Sequence, residues 1–559
     1  MQAVNRLSFC SLIMYGAVSY ASGWQLSFAS YLAAQLKMMP VYALFLILMA
    51  NFDAFSAAFV LSLVVMLIGS ISKVKAAANG EPLGFYDFFA ISEAKHLPSY
   101  ASFTIVLLSI LLFSYLLHSL LSLYNDKSKR KISYVQPFAG LLAFSLCLYP
   151  YFDDENYFAK RVSQVFAERF NLKYIGWNMA ADVDQNGLPF HLIYTSKKRL
   201  IDNFSRKEMG DFNLQLSRYS SPSNIEKILP RKIIYILCEA CWDTQLRGYS
   251  DFSPLLHSGF KMTEMISPVY GGGTANSEFE VFTGLPSWNL TGYIYQEYRK
   301  EISGRAITFV SEMRRLHYKA YASHNFYKYF YHRNEIYPKF GFEKYVALDD
   351  MNYKGRDNFP RDALLFNAAE QILGRPDERV FLSAVTVSTH GPYIEVGGDG
   401  GLGHYTSRLK MAVEDMAAFV KSMDSKHLDY TIVIYGDHKP AMTKFFYDSK
   451  ILPSSVFRKT GASNKDFLFA FDAADSQDII GKVPVLIKSS NEERDENLLI
   501  SELKDKPLFC LTPLFGSWLG IESDPSFKMM GNICRNPAGR YKDYKDKYPD
   551  QLYYRNLFS

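Results

Sequence analysis

Hydrophobic positions are unevenly spread along the chain. Near residues 7 to 23, 38 to 50, 54 to 72, 101 to 123 and 135 to 152 they run together almost without interruption, and after residue 153 charged side chains return. A bilayer core requires about 20 apolar residues in helical form. Several of these stretches reach that length, so the pattern predicts a bundle of five transmembrane helices over residues 1–152. The second span is the least clear, because Val41 to Met49 is a short apolar run with Lys37 just before it. A cleavable signal peptide competes as a reading of the N-terminus, but the later spans keep the chain in the membrane either way. The basic cluster Lys127, Lys129, Arg130 and Lys131 separates the fourth and fifth spans, and basic loops favour the cytoplasmic side. Counting from that loop puts the N-terminus with Arg6 inside and everything after about residue 153 outside. Lys73 and Lys75 then fall on the outer side, against the same rule.

Residues 153–205 mix aromatic and basic positions (Tyr157, Phe158, Lys160, Arg161, Phe166, Arg169, Phe170), which suits a connecting helix at the membrane surface or an ordinary linker equally. Over residues 206–559 the pattern changes. Short apolar runs of strand length, Ile233 to Leu237, Val380 to Val387, Thr431 to Tyr435 and Val483 to Ile487, alternate with amphipathic segments such as Thr406 to Met423. That alternation predicts an α/β domain with a mainly parallel central sheet.

Composition narrows the function classes. The chain of 559 residues exceeds one ordinary core, and 48% hydrophobic with 16% aromatic residues excludes a disordered protein. The 61 basic and 56 acidic residues leave a net charge of +5, which makes no case for nucleic-acid binding. Six cysteines in a chain of this length are not a disulfide scaffold.

In open α/β sheets ligands gather beyond the carboxyl ends of the strands. Those positions are rich in ligand-type side chains here: Glu239 follows the first run, His390 lies in STHGPY after the second, and Asp437 with His438 lies in YGDHKP after the third. Each alone suits a cap or a surface residue. Four on one sheet edge point to a mixed oxygen and nitrogen site for a divalent metal such as manganese or zinc. The run Gly271-Gly272-Gly273-Thr274-Ala275-Asn276-Ser277-Glu278-Phe279 joins a glycine turn to what reads as a helix start. Backbone N–H groups at such a start favour an anion, and a threonine hydroxyl touching a metal becomes a nucleophile toward phosphorus or sulfur. The same segment alone reads as a plain N-cap. A last cluster, His324 to Arg333 (HNFYKYFYHR), suits recognition of a phosphate and an attached polyol or sugar, or else a solvated loop.

Taken together, these residues resemble the lipoteichoic acid synthase group of membrane-anchored, sulfatase-fold phosphotransferases, the phosphoglycerol transferases of cell-wall polymers and periplasmic glucans. The likeness runs through most of the chain: five N-terminal membrane helices, Gly80-Glu81-Pro82-Leu83 with Asp87, and the outer-domain motifs in family order. The resemblance implies a multi-pass protein of the bacterial cytoplasmic membrane with its catalytic domain outside. It implies one divalent metal, manganese foremost with zinc and magnesium as alternatives, held by Glu239, Thr274, Asp437 and His438. Thr274 corresponds to the family nucleophile and His390 to a histidine near the leaving group or the incoming hydroxyl. His324, Tyr331 and Arg333 match the glycerol phosphate contacts, with tyrosine in place of the family tryptophan.

The implied reaction moves glycerol phosphate from a phosphatidylglycerol-like lipid to a glycan or polymer hydroxyl through a phospho-threonine. Alternatives are phosphoethanolamine transfer, hydrolysis, or an inactive membrane-tethered binding protein of the same fold. Glu239 is flanked by Cys238 and Cys241 where the family carries small residues. Outside the membrane these two thiols, or Cys510 and Cys534, are candidates for disulfides, while Cys238 alone reads as a small buried hydrophobe at a strand end. Threonine rather than cysteine at 274 argues against a true sulfatase.

Overall fold

In a computed structural model of the chain the described residues are 2–49, 52–79, 82–90, 138, 140–141, 179–196, 212–214 and 216–219, and then 229–558 apart from short gaps, the longest being 460–466, 470–475, 536–543 and 545–553. The chain divides into two compact units: Met1–Lys197 with Phe457–Phe471, and Lys198–Val456 with Asp472–Ser559.

The second unit is built on a seven-stranded sheet. Its strands are β1 (Lys232–Cys238), β2 (Lys261–Ile266), β3 (Lys319–His324), β4 (Lys344–Ala347), β5 (Val380–Val385), β6 (Tyr430–Gly436) and β9 (Lys482–Ser489), in the order β2-β9-β6-β1-β5-β3-β4. The five from β6 to β4 run parallel, and β9 pairs antiparallel with both β6 and β2. The sheet is therefore mainly parallel, as the alternation of runs predicts, with an antiparallel edge. Every residue of β1, β5 and β6 is buried, the signature of strands covered on both faces. The four apolar runs fall on β1, β5, β6 and β9. The edge strands β2 and β4 do not stand out in the sequence: Lys261, Glu264 and Lys344 are exposed in them, and β4 has only four residues. An edge strand buries less, so it carries less of the pattern that reveals it.

Strands β5 and β6 flank β1, so chain connections leave β1 on both sides and a crevice opens at its carboxyl end. The walls of that crevice are fixed by buried side chains. Asp362 accepts hydrogen bonds from Asn325 Nδ2 at 2.9 Å, from the backbone N–H of Val387 at 3.0 Å and Ser388 at 3.2 Å, and from the Ser388 hydroxyl. One carboxylate thereby ties the segment after β3 to the segment after β5. A disulfide, Cys510–Cys534, links two C-terminal helical segments.

The first unit is mostly helical, with Gln2–Ser22, Phe28–Ala34, Met39–Leu48, Ala54–Asn79, Met179–Asn186 and Leu188–Ser196. The ribbon β7 (Phe457–Lys459) and β8 (Phe467–Phe469) also falls in it. Among the described residues, Ala54–Ala76 is the helix long and apolar enough to cross a membrane. Phe28–Ala34 and Met39–Leu48 pass the same test as a pair but bend by 76° at the break. The second expected span, 38 to 50, falls on Met39–Leu48, whose 10 residues rise about 15 Å, half a bilayer core. Lys37 sits in the break with its ammonium on the Gln185 carbonyl. Asp87 accepts from the Gly84 N–H at 2.7 Å and pairs with Lys75 at 2.9 Å. The expected span at 101–123, almost all of that at 135–152, the Lys127–Lys131 cluster, and Gly80 with Glu81 lie outside the described residues.

Replacing Asp362 with alanine orphans several buried donors at once. The expected loss is roughly 3 kcal/mol of stability, read as a lower thermal midpoint; an unchanged midpoint contradicts the bracing role.

Candidate metal and nucleophile site

Three side chains converge at the carboxyl ends of β1 and β6. The register pairs Cys238 with Gly436, so Glu239 and Asp437 emerge next to each other and His438 follows. Close approach needs glycine at 436, because a Cβ there would lie 2.8 Å from the Cys241 carbonyl oxygen. The ligand-type atoms of Glu239, Asp437 and His438 all lie within 4.8 Å of one another, and all three residues are buried. His438 Nε2 is 3.2 Å from Asp437 Oδ2 and 3.6 Å from Glu239 Oε1.

Hydrogen bonding around the cluster determines what it can hold. His438 Nδ1 donates to the Lys439 carbonyl at 2.9 Å, which leaves the Nε2 lone pair facing the carboxylates. Asp437 Oδ1 accepts the N–H groups of Ala240 at 2.8 Å and His438 at 2.9 Å, while Asp437 Oδ2 and His438 Nε2 are buried with no hydrogen-bond partner. Lone pairs facing each other in a buried space repel unless a cation or a proton lies between them. Two carboxylates and an imidazole, with a hydroxyl beside them and no thiolate in reach, suit a divalent metal. Burial and the Asp437 charge push the Glu239 carboxyl well above the usual carboxylate range, and the Arg333 charge opposes them.

Thr274 completes the group. The glycine turn ends at Gly273, whose φ of 87° is natural only for glycine, and the helix Thr274–Thr283 begins at once. The Thr274 hydroxyl donates to Glu239 Oε2 at 3.3 Å. The Ser277 hydroxyl, on the first turn, donates to the Asp437 carbonyl at 2.8 Å and pins the helix to the end of β6.

The histidines after β3 and β5 are both neutral at pH 7 with the tautomer fixed. His390 Nδ1 donates to the Gly391 carbonyl at 2.6 Å, its ring stacks on Phe359 at 4.5 Å, and burial pulls its pKa down to about 4. His324 Nδ1 donates to the Val385 carbonyl at 2.8 Å, and burial, followed by the Arg333 charge, holds its pKa well below the ordinary imidazole value. Nε2 carries the lone pair in each.

The segment 324–333 is not a solvated loop, since His324, Tyr331 and Arg333 are buried. Arg333 is 1% exposed, and its Nε donates to Glu278 Oε2 at 2.9 Å, joined by Nη2 on the same oxygen. The Tyr337 hydroxyl takes Glu278 Oε1 at 2.6 Å. Arg333 Nη1 is buried and has no partner, and the Tyr331 ring lies 5.3 Å from the guanidinium carbon. The guanidinium is thus held from behind with one nitrogen left over. Glu278, which holds Arg333 and Tyr337, is a residue that sequence reasoning passed over. Its signal was its place one helical turn after Thr274, which puts it on the same face. Lys439 was passed over as well: it is buried, it donates to the Ile480 carbonyl at 3.0 Å and to that of Lys482, and burial pulls its pKa down to about 7.

Residues 231–501 match the sulfatase family. Among known sequences the chain is 26% identical, over 256 residues, to a Rhizobium meliloti (strain 1021) protein named for cyclic beta-1,2-glucan modification. That match covers 42% of this chain and 39% of the relative. A capsular polysaccharide biosynthesis protein of the same organism is 26% identical over 192 residues, 32% of this chain and 35% of the relative. The chain thus spans less than two fifths of the length of either. Among solved structures, the Streptococcus pyogenes phosphoglycerol transferase in complex with sn-glycerol-1-phosphate aligns at a TM-score of 0.45 with 18% identity, over 64% of this chain and 94% of that one. The Neisseria meningitidis lipooligosaccharide phosphoethanolamine transferase A aligns at 0.49 with 13% identity, over 91% and 99%.

A carboxyl with a raised pKa holds a proton more readily, and a cation competes with that proton. Affinity for manganese or zinc is therefore expected to rise with pH, with proton release seen by calorimetry in buffers of different ionisation heat. Replacing Asp437 with asparagine is expected to weaken the affinity at every pH. Binding without proton release, or unaffected by the replacement, contradicts the assignment.

Proposed function

From the premise that residues 231–501 are a sulfatase-family domain, we propose that the chain is a membrane-anchored, metal-dependent phosphotransferase. It moves glycerol phosphate from a phosphatidylglycerol-like lipid to a hydroxyl of a glycan or polymer through a phospho-Thr274 intermediate. The observation that carries this is the Thr274 hydroxyl, at a helix N-terminus and 3.3 Å from Glu239 Oε2 in the Glu239, Asp437 and His438 cluster. The apolar helix Ala54–Ala76 supports an anchor beside a lipid donor. The two Rhizobium meliloti relatives, named for glucan modification and capsular polysaccharide biosynthesis, support a glycan acceptor.

Glu239, Asp437 and His438 would hold a divalent ion, which would supply positive charge that lowers the pKa of the neighbouring hydroxyl. Thr274 Oγ1 attacks phosphorus in line and gives up its proton toward Glu239 Oε2, 3.3 Å away; a new P–O bond forms as the bond to diacylglycerol breaks, and the departing oxygen takes a proton from solvent. Backbone N–H groups of the first turn of Thr274–Thr283 face the negative charge that builds on the phosphoryl oxygens. Arg333 Nη1, held in place by Glu278, is the remaining donor for those oxygens, and Tyr331 lies against it as a face for the glycerol. In the second step an acceptor hydroxyl displaces Thr274. Its proton goes to His390 Nε2, which carries the lone pair because Nδ1 donates to the Gly391 carbonyl, and Thr274 Oγ1 leaves as a hydroxyl by taking back its proton from Glu239.

The test uses the full chain in vesicles of phosphatidylglycerol with a soluble gluco-oligosaccharide. Diacylglycerol release and a glycerophosphoryl-oligosaccharide are expected, and Thr274→Ala should lower both by at least about a thousandfold with the fold retained. Consumption of phosphatidylethanolamine in place of phosphatidylglycerol moves the donor to the ethanolamine lipid. Turnover with either lipid by Thr274→Ala sinks the nucleophile. His390→Ala should still cleave donor in the first turnover but pass it to the acceptor about 10² to 10⁴ times more slowly; equal losses in both steps remove the proposed base.

A further inference from the structure

Glu239 reaches the cluster from an unusual piece of chain. It lies between Cys238, the last residue of β1, and Ala240, whose φ of 48° is left-handed backbone on a residue with a Cβ. Cys238 and Cys241 are joined by a disulfide, and both are fully buried. Cys238 is thus a bridged residue and not a lone buried hydrophobe. The bridge closes a turn of four residues with Glu239 and Ala240 inside it, and the Cys241 N–H returns to the Cys238 carbonyl at 3.3 Å.

The same turn reaches the second carboxylate. The Ala240 N–H donates to Asp437 Oδ1 at 2.8 Å, which leaves Oδ2 as the unpartnered oxygen turned toward His438. The Glu239 N–H donates to Thr386 Oγ1 at 2.9 Å, the Thr389 hydroxyl donates to the Glu239 carbonyl, and the Tyr405 hydroxyl donates to the Ala240 carbonyl at 3.0 Å. Buried carboxylates side by side repel each other unless a cation or a proton lies between them, and an open loop relieves that repulsion by swinging one of them away. A left-handed alanine gives such a loop a further reason to relax. The bridge removes both escapes.

We infer that the Cys238–Cys241 disulfide is a positioning element of the metal site, holding Glu239 and, through the Ala240 N–H, Asp437 in their ligating arrangement, so that high-affinity metal binding develops only after this bridge forms. Two thiols lose two electrons and two protons as the S–S bond forms. Thiol–disulfide exchange with a disulfide oxidant such as oxidised glutathione accepts the electrons and leaves as thiols. The chain thereby acquires its metal in an oxidising compartment, outside the reducing cytoplasm. The inference rests on the metal-binding part of the proposed function and is independent of which lipid is the donor.

The test compares the full chain in detergent as wild type, as Cys238→Ala/Cys241→Ala, and as Cys510→Ala/Cys534→Ala, which removes a bridge elsewhere in the same unit. Each is stripped of metal and titrated with manganese and with zinc by calorimetry, with circular dichroism to follow the fold. The first double variant should bind about 10- to 100-fold more weakly, and the second within about twofold of wild type. Affinity within twofold of wild type in a folded Cys238→Ala/Cys241→Ala variant overturns the inference. Should that variant not fold, metal-loaded wild type is treated with a phosphine reductant and the opened bridges are mapped by alkylation. Metal should leave as Cys238 and Cys241 become alkylated, and metal retained on chains with this bridge open overturns the inference equally. A wild type that binds neither metal is a separate outcome, which removes the metal site itself.

Discussion

Two buried carboxylates at neighbouring strand ends set the terms for everything around them. Parallel pairing of β1 with β6 places Glu239 beside Asp437, and the fold then has to keep two carboxyl groups together away from water. Such an arrangement is unfavourable in itself and is kept only where something offsets it. The offset here is distributed. Backbone N–H groups occupy one Asp437 oxygen, the His438 ring turns its lone pair inward by giving its proton to a carbonyl, and Thr274 donates to Glu239. The unpartnered oxygen and nitrogen that remain define where a cation fits.

The surroundings keep charges in separate compartments. Glu278 neutralises the buried Arg333 from one side, so the guanidinium enters the crevice as a directed donor and not as a free cation. Both His324 and His390 are uncharged, each because burial penalises the imidazolium and a carbonyl fixes the ring. Arg333 keeps one buried nitrogen without a partner, and His390, its Nδ1 engaged by a carbonyl, keeps the lone pair of Nε2.

Much of this was legible in the sequence because the central strands are buried on both faces and so appear as uninterrupted apolar runs. The residues just after those runs, Glu239, His390, Asp437 and His438, then follow from the rule that sites gather at strand ends. Thr274 was legible from the glycine turn before it. What escaped shares one cause, since partners distant in the sequence leave no local pattern. Nothing near Glu278 announces Arg333, 55 residues away, as its partner, and nothing near Asp362 announces Asn325. The edge strands β2 and β4 escaped because exposed strands lose the apolar pattern. The two cysteines around Glu239 were visible, but whether they pair depends on geometry that only the folded turn supplies.

The most direct measurement is peptide-mapping mass spectrometry of the full chain, loaded with manganese and mixed with phosphatidylglycerol vesicles in the absence of any acceptor. A glycerophosphoryl adduct on Thr274 is expected, and it should disappear when an acceptor oligosaccharide is added. Donor cleavage with Thr274 unmodified, or an adduct on another residue, would contradict a threonine nucleophile held in the Glu239, Asp437 and His438 site.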